Sequence, residues 1–232
     1  MFKRLTPRFL EKVWGSTQLE PWFPNPEKKT GEVWLEGESL PLLVKFLFTT
    51  EPLSVQVHPE GKTEMWHVLR ADPGAKVAAG FREPISEERL RESSLSGEIE
   101  TLLDWYDARP GDTFFIPAGV VHAIGPGLAM CEIQQYSDVT YRLYDYGRPR
   151  ELHLDQAIAV SQRGPHAARQ PAREGVLVSC PFFTTEKLRV DGEFHVEAGR
   201  MVIVLDGPRA GEAWYADTAS TLTAQATILV TG

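Results

Sequence analysis

Two stretches punctuated by turn residues constrain this chain more than any other feature. They are Ser-Val-Gln-Val-His-Pro-Glu-Gly-Lys-Thr-Glu-Met-Trp over residues 54–66 and Gly-Asp-Thr-Phe-Phe-Ile-Pro-Ala-Gly-Val-Val-His over 111–122. In a β-strand, side chains two apart share a face, so Ser54, Gln56 and His58 point one way. Pro59 and Gly61 interrupt the ladder and turn the chain. Glu64, Trp66 and Val68 then share a face of the next strand, and the turn Pro117-Ala118-Gly119 leads to His122. Gln56, His58, Glu64 and His122 can therefore meet across tight turns. This set contains no thiolate and suits Zn²⁺, Mn²⁺, Fe²⁺ or Co²⁺ at an open site. Any one of the four alone reads as an ordinary polar residue near a strand end.

The spacing Gly111-x5-Pro117-x-Gly119-x2-His122 resembles the second sequence motif of the cupins, small β-barrels with a metal at the centre. Leu53–Pro59, Lys62–Trp66 and Ser137–Arg142 resemble type I mannose-6-phosphate isomerases, in the short bacterial form. The resemblance runs from about Trp14 to about Ile158, with its three motifs in the family's order. Gln56 stands where a general cupin has His, as it does in the isomerase family. Pro126 stands where the general cupin motif puts Asn. Gly61 replaces a His that precedes the Lys of the Lys-x-Glu motif in longer members, which removes one acid/base group.

The resemblance implies a mostly β fold: a cupin jelly-roll barrel with a few short helices. It also implies a metal-dependent aldose–ketose isomerase that interconverts mannose 6-phosphate and fructose 6-phosphate through a cis-enediolate. One divalent ion is expected, with Zn²⁺ the first choice. Arg142 sits where the family has its active-site arginine, and a guanidinium adds fixed positive charge for the enediolate. As a plain strand-end residue, Arg142 would instead pair with Asp138 or Asp145.

Bulk properties agree with an enzyme of this kind. The 232 residues allow one large domain or two small ones, with 42% hydrophobic and 24% charged content. The net charge of −8 argues against nonspecific nucleic-acid binding, yet a local basic cluster can still bind a phosphorylated hexose. Cys131 and Cys180 make neither a metal-type spacing nor a disulfide framework. No apolar run is long enough for a signal peptide or a membrane span. The expectation is a cytoplasmic monomer or homodimer, with no membrane partner.

Along the chain, residues 2–40 read as short strands and turns, with a helical turn over Pro7–Val13. Glu32, in Gly-Glu-x-Trp, lies on a half-buried strand and resembles the family's pattern near the site. Pro41–Phe48 is an apolar run buried on both sides with one lysine in it. Lys45 either snorkels to the surface or makes a polar contact in the cavity. Two short helices over Pro84–Leu90, with Ser86 as N-cap, and Ser96–Leu103 cover one mouth of the barrel. A third is expected over Leu154–Val160. The division expected is a catalytic cupin domain over 1–163, a Gly/Pro/Arg/Ala-rich linker over 164–175, and a small all-β module over 176–232 packed on the first, or a degenerate second cupin. That module carries one histidine, His195, and no metal set. It should contain strands over Val176–Val178, Phe182–Leu188, Phe194–Val196, Met201–Leu205 and Leu222–Val230.

For substrate binding the candidates are Ser54, on the face of Gln56 and His58, and Lys45; the catalytic candidates are Arg142 and Lys62, two residues before Glu64. Lys62 is read as a phosphate ligand, a proton shuttle, or an exposed turn lysine. Other classes remain open: a non-catalytic sugar-binding cupin, a cupin-type glucose-6-phosphate isomerase, and a cupin dioxygenase, although an oxygenase would leave Arg142 and Lys62 unexplained.

Overall fold

A computed structural model describes residues 2–232. The first part of the chain forms β1 (Phe2–Arg4), β2 (Thr6–Ser16), β3 (Thr30–Glu36), β4 (Leu42–Phe48), β5 (Val55–Val57), β6 (Glu64–Ala71) and β7 (Lys76–Phe81). Then follow α1 (Glu87–Ser96), α2 (Ile99–Leu102), β8 (Leu103–Asp107), β9 (Thr113–Ile116), β10 (His122–Ile124), β11 (Leu128–Gln135), β12 (Tyr141–Tyr144) and α3 (Leu154–Val160). The remainder is β13 (Arg169–Gln170), β14 (Gly175–Ser179), β15 (Thr184–Val196), β16 (Met201–Val204), β17 (Ala213–Ala216) and β18 (Ser220–Thr231).

The strands make three antiparallel sheets. A seven-stranded sheet runs β13-β9-β6-β11-β4-β3-β2, and a five-stranded sheet runs β12-β5-β10-β7-β8. These two face each other: Trp66, Val68, Phe114 and Ile116 of the first pack with Val77, Ala79 and Ile124 of the second. A six-stranded sheet, β1-β17-β16-β18-β15-β14, packs on the outer face of the seven-stranded one. Leu177, Met201, Ile203 and Leu229 from the six-stranded sheet join Val44, Phe46, Phe48, Met65 and Ile133 in one core, and Trp22 Nε1 donates to Leu205 O at 2.7 Å. The seven-stranded sheet is thus a wall with both faces covered. That is why all of β4 is buried, as its unbroken apolar run predicts.

Several expectations need correction. Pro7–Val13 is strand, not helix. β2 is an edge strand paired with β3, where the N–H that Pro7 lacks is not missed. The helices do not cover a mouth of the barrel. Leu90 of α1, Ile99 of α2 and Ile158 of α3 pack with Val55, Val57, Ala78, Val121 and Ala123, the side of the five-stranded sheet opposite Gln56 and His122. The second helix is one turn, and from Leu103 the chain enters β8. The 164–175 stretch carries β13, which pairs with β9, while His166 Nε2 donates to Phe115 O at 2.9 Å. Phe182–Leu188 and Phe194–Val196 belong to one long strand, β15, because Gly192, at φ 116°, bends in place and stays paired with Ala224. β1, from the other end of the chain, completes the C-terminal sheet against β17.

Candidate metal centre and active site

Register places the functional side chains. His122 pairs with Gln56, and Gln56 pairs with Arg142. Directly opposed residues share a face, so His122, Gln56 and Arg142 stand in one row across β10, β5 and β12, facing the cavity. His58 follows the end of β5 and Glu64 opens β6. The two turns between them are tied together: Gly119 N donates to His58 O at 2.9 Å, and Ala118 N donates to Thr63 Oγ1 at 3.2 Å. Gly119 has φ 87°, and a Cβ there would lie 2.9 Å from the Val160 carbonyl, so this turn requires glycine.

Among the described residues, His58, Glu64 and His122 form a cluster of buried ligand atoms, all within 4.8 Å of one another. His58 Nδ1 is 3.0 Å from Val139 O, and His122 Nδ1 is 2.8 Å from Val120 O. A carbonyl only accepts, so each Nδ1 carries the proton and each Nε2 keeps its lone pair for the cluster. Burial, and after it the proximity of His58, pushes the His122 imidazole down to about 3, so the ring is neutral. His58 Nε2 lies 3.3 Å and His122 Nε2 3.7 Å from the Glu64 carboxylate. Both Glu64 oxygens are buried without a hydrogen-bond partner among the described residues. A buried, unsatisfied carboxylate is costly, and a cation between it and two imidazole lone pairs removes that cost. The residues therefore fit a divalent metal ion. Gln56 Nε2 is 3.3 Å from His122 Nε2. Half a turn of the amide would put Oε1 there, and Ser54 Oγ, now donating to Oε1 at 3.2 Å, could accept from Nε2 instead.

Around this cluster lies a cavity of about 540 Å³, lined among others by Trp34, Lys45, Ser54, Gln56, His58, Lys62, Glu132, Arg142, Arg150 and His153. Lys62 is not an exposed turn residue. It is 4% exposed, with Nζ 3.1 Å from His58 Nε2, 3.3 Å from Thr140 Oγ1 and 3.8 Å from Glu64 Oε2. Burial pushes its ammonium below the ordinary lysine range.

Lys45 does not snorkel. It is 6% exposed, and its Nζ donates to Glu132 Oε1 at 2.9 Å and Gln134 Oε1 at 2.6 Å, with the Trp34 ring 4.9 Å away. Burial works against the Lys45 charge, but Glu132 and Glu32 outweigh it and raise the pKa. Glu132 also accepts from Trp66 Nε1 at 3.0 Å. Glu32 accepts from Trp34 Nε1 at 2.6 Å and pairs with Lys12 at 3.2 Å.

Arg142 pairs with neither Asp138 nor Asp145. Its Nη1 donates to Glu151 O at 3.3 Å. Burial, and then the charge of Arg150, lowers its pKa. Asp145 is held instead by Arg148 and Arg150.

All of the sequence candidates — Ser54, Lys45, Gln56, His58, Lys62, Glu64, His122 and Arg142 — come together in this one region. Glu132, Arg150 and His153 were missed. For Glu132, the signal was a carboxylate inside the alternating strand β11, on the face of Gln134.

A β-barrel holding two histidines and a glutamate at its centre, with the second histidine following a Pro-x-Gly turn, defines a cupin with a metal-type site. The chain belongs to the mannose-6-phosphate isomerase family. It is 35% identical to the mannose-6-phosphate isomerase of Streptococcus mutans, over 82% of this chain and 81% of the relative. It is 31% identical to mannose-6-phosphate isomerase ManA of Bacillus subtilis, over 87% and 84% respectively. No protein-family model matches the chain. The crystal structure of mannose 6-phosphate isomerase from Bacillus subtilis superposes with a TM-score of 0.85 at 26% identity, covering 100% of this chain and 99% of that one. A mannose 6-phosphate isomerase bound with zinc and yttrium shares the fold, with a TM-score of 0.77 at 15% identity and 99% and 98% coverage.

Proposed function

We propose that this chain interconverts mannose 6-phosphate and fructose 6-phosphate, with Zn²⁺ held by His58, Glu64, His122 and the Gln56 amide oxygen. The observation that carries this reading is the row His122, Gln56, Arg142, which sets an arginine beside the buried His/Glu/His cluster in a polar cavity. Nitrogen and oxygen donors without thiolate suit zinc at a catalytic site. A bound divalent ion would supply Lewis-acid charge near the sugar's O1 and O2.

The protein's own groups do the rest. The open-chain aldose loses its C2 proton, and negative charge spreads over O1 and O2 of the enediolate. A proton then returns to C1, and the O2 hydroxyl gives up its proton to O1 as the ketone forms at C2. Lys62, deep in the cavity against His58, moves the proton between C2 and C1. Arg142 sits to stabilise the charge that develops. Ser54 and Lys45 form polar wall around the sugar, with Lys45 held in place by Glu132 and Gln134.

The residues lining the cavity fall between Arg8 and His153. This supports residues 1–163 as the catalytic unit and 176–232 as a structural module. The two free thiols, Cys131 and Cys180, fit a cytoplasmic setting, and no helix of the described chain is long and apolar enough to cross a membrane.

A coupled assay tests the substrate. Purified protein is expected to turn over mannose 6-phosphate with kcat/KM at least 10²-fold above that for the C2 epimer, glucose 6-phosphate, about 2.7 kcal/mol in transition-state terms. Equal or greater activity on glucose 6-phosphate would make the chain a glucose-6-phosphate isomerase. Binding of the sugar phosphate without turnover would make it a binding cupin.

A further inference from the structure

The substrate assigned above carries a phosphate, and most of the cations around the cavity are already committed. Lys45 is bound by Glu132 and Gln134. Lys62 lies inside the His58/Glu64 cluster. Lys12 pairs with Glu32 at 3.2 Å, and Arg8 pairs with Glu36 at 3.1 Å on the exposed edge.

A different arrangement closes the edge of the five-stranded sheet. After β12 the chain loops back through Arg148, Arg150 and His153, so that His153 N donates to Arg142 O at 2.8 Å. Arg142 N donates to His153 Nδ1 at 3.2 Å. This loop covers the free edge of β12 and brings Arg150 and His153 to the cavity wall.

Asp145, only 2% exposed, organises the loop. Arg150 donates through Nε to Oδ2 and through Nη2 to Oδ1, both at 2.6 Å. Arg148 donates through Nη2 to the same Oδ1 at 2.7 Å. Asp145 alone faces the guanidiniums of Arg148 and Arg150, and among the described residues Arg142 forms no salt bridge of its own although Asp145 and Glu151 act on its charge, so these three cations outnumber the carboxylate they share. Arg150 meets Asp145 through Nε and Nη2, which leaves Nη1 outside that pair. Because the backbone N–H of Arg142 can only donate, His153 accepts at Nδ1 and carries its proton on Nε2, where it is a further donor. A phosphate monoester carries about −1.5 to −2 charge at pH 7 and takes charge-assisted hydrogen bonds from such a fork.

We propose that Arg150 binds the phosphate of the sugar substrate, assisted by His153, and that Asp145 is the positioning residue that aims Arg150 into the cavity. The proposal rests on the sugar-phosphate reading above and adds the residues that select the phosphorylated sugar. In this arrangement the phosphate lies toward the β12 edge. Arg150 holds it equally in ground and transition states, while the reacting carbons face the His58/Glu64/His122 cluster. Arg148 shares the same carboxylate but also donates to Pro52 O at 2.9 Å and does not line the cavity, so it serves as the internal control.

The test uses the full, metal-loaded chain and two readouts. Calorimetry with mannitol 6-phosphate, which cannot isomerise, reports phosphate binding without turnover. Steady-state kinetics on mannose 6-phosphate separate KM from kcat. Arg150→Ala is expected to weaken mannitol 6-phosphate binding at least fivefold and to raise KM to the same extent, with kcat within threefold of the parent. Arg150→Lys should recover part of the loss, since it keeps the charge but not the fork. Asp145→Asn should move KM and binding in the same direction as Arg150→Ala, whereas Arg148→Ala should leave both within twofold. A loss below fivefold in Arg150→Ala, or an equal loss in Arg148→Ala, overturns the proposal. So does failure of the parent protein to bind mannitol 6-phosphate. If the parent binds that ester but does not turn over mannose 6-phosphate, the isomerase reading fails while the calorimetric comparison still decides the phosphate site.

Discussion

Replacing His58 and His122 together by alanine is expected to abolish metal retention and turnover while the barrel stays folded. Parent protein loaded with Zn²⁺ and desalted should carry about one equivalent of metal per chain, as a mononuclear site requires. The double variant should carry less than about a tenth of that. The reason is geometric. The two Nε2 atoms and the Glu64 carboxylate provide a preformed set whose hydrogens are already directed elsewhere, to Val139 O and Val120 O. Removing both imidazoles leaves one carboxylate and one amide, too few ligands to hold the ion through desalting. Metal binding also relieves the unsatisfied Glu64 oxygens, so parent protein should melt higher with metal than without it, and the double variant should lose that metal-dependent shift. Retention of a full equivalent by the double variant, measured by elemental analysis, would remove these residues from the site.

Arg142→Ala is expected to lower kcat by roughly 10²-fold or more, as loss of a preorganised donor to a developing oxyanion typically does, with a smaller change in KM. The enediolate carries charge that the ground-state sugar lacks, so a guanidinium in the row of Gln56 and His122 favours the transition state over the substrate. Among the described residues no carboxylate forms a salt bridge with Arg142, although Asp145 and Glu151 act on its charge. Arg142→Lys should recover only part of the rate because it lacks the planar fork. A rise in KM with kcat unchanged would make Arg142 a uniform binding group. It would then belong with Arg150 at the phosphate, and Lys62 would become the candidate for stabilising the enediolate.

The clustering of His58, Glu64 and His122 was legible in the sequence because its parts are local. Gln56 lies on β5 and His58 is two residues on, just past its end, Glu64 follows a Pro/Gly turn, and His122 follows Pro117-Ala118-Gly119. Period-2 alternation and turn chemistry suffice to put such residues on one side. Lys45 was legible only as a charge in a buried strand. Its partner Glu132 is 87 positions away, and strand pairing, which period alone does not specify, brings them together. Arg150 and Asp145 were not legible as a unit because a loop folded back on β12 joins them. The helices were found but misplaced: their apolar faces reveal that they pack, not on which side of which sheet. The break expected between Phe182–Leu188 and Phe194–Val196 is absent, because glycine permits a bend within a paired strand as readily as a reversal.

If the His58/Glu64/His122 centre works as proposed, in a metal-dependent aldose–ketose isomerase, activity must follow bound metal. The most direct test is the initial rate on mannose 6-phosphate before chelation, after chelation and removal of the chelator, and after adding back one equivalent of Zn²⁺, with bound metal counted at each stage. Activity is expected to fall with the metal to below about 1% of the starting rate, a loss of at least 10²-fold or about 2.7 kcal/mol, and to return in proportion to metal rebound. Full activity in protein shown to be metal-free would contradict this expectation.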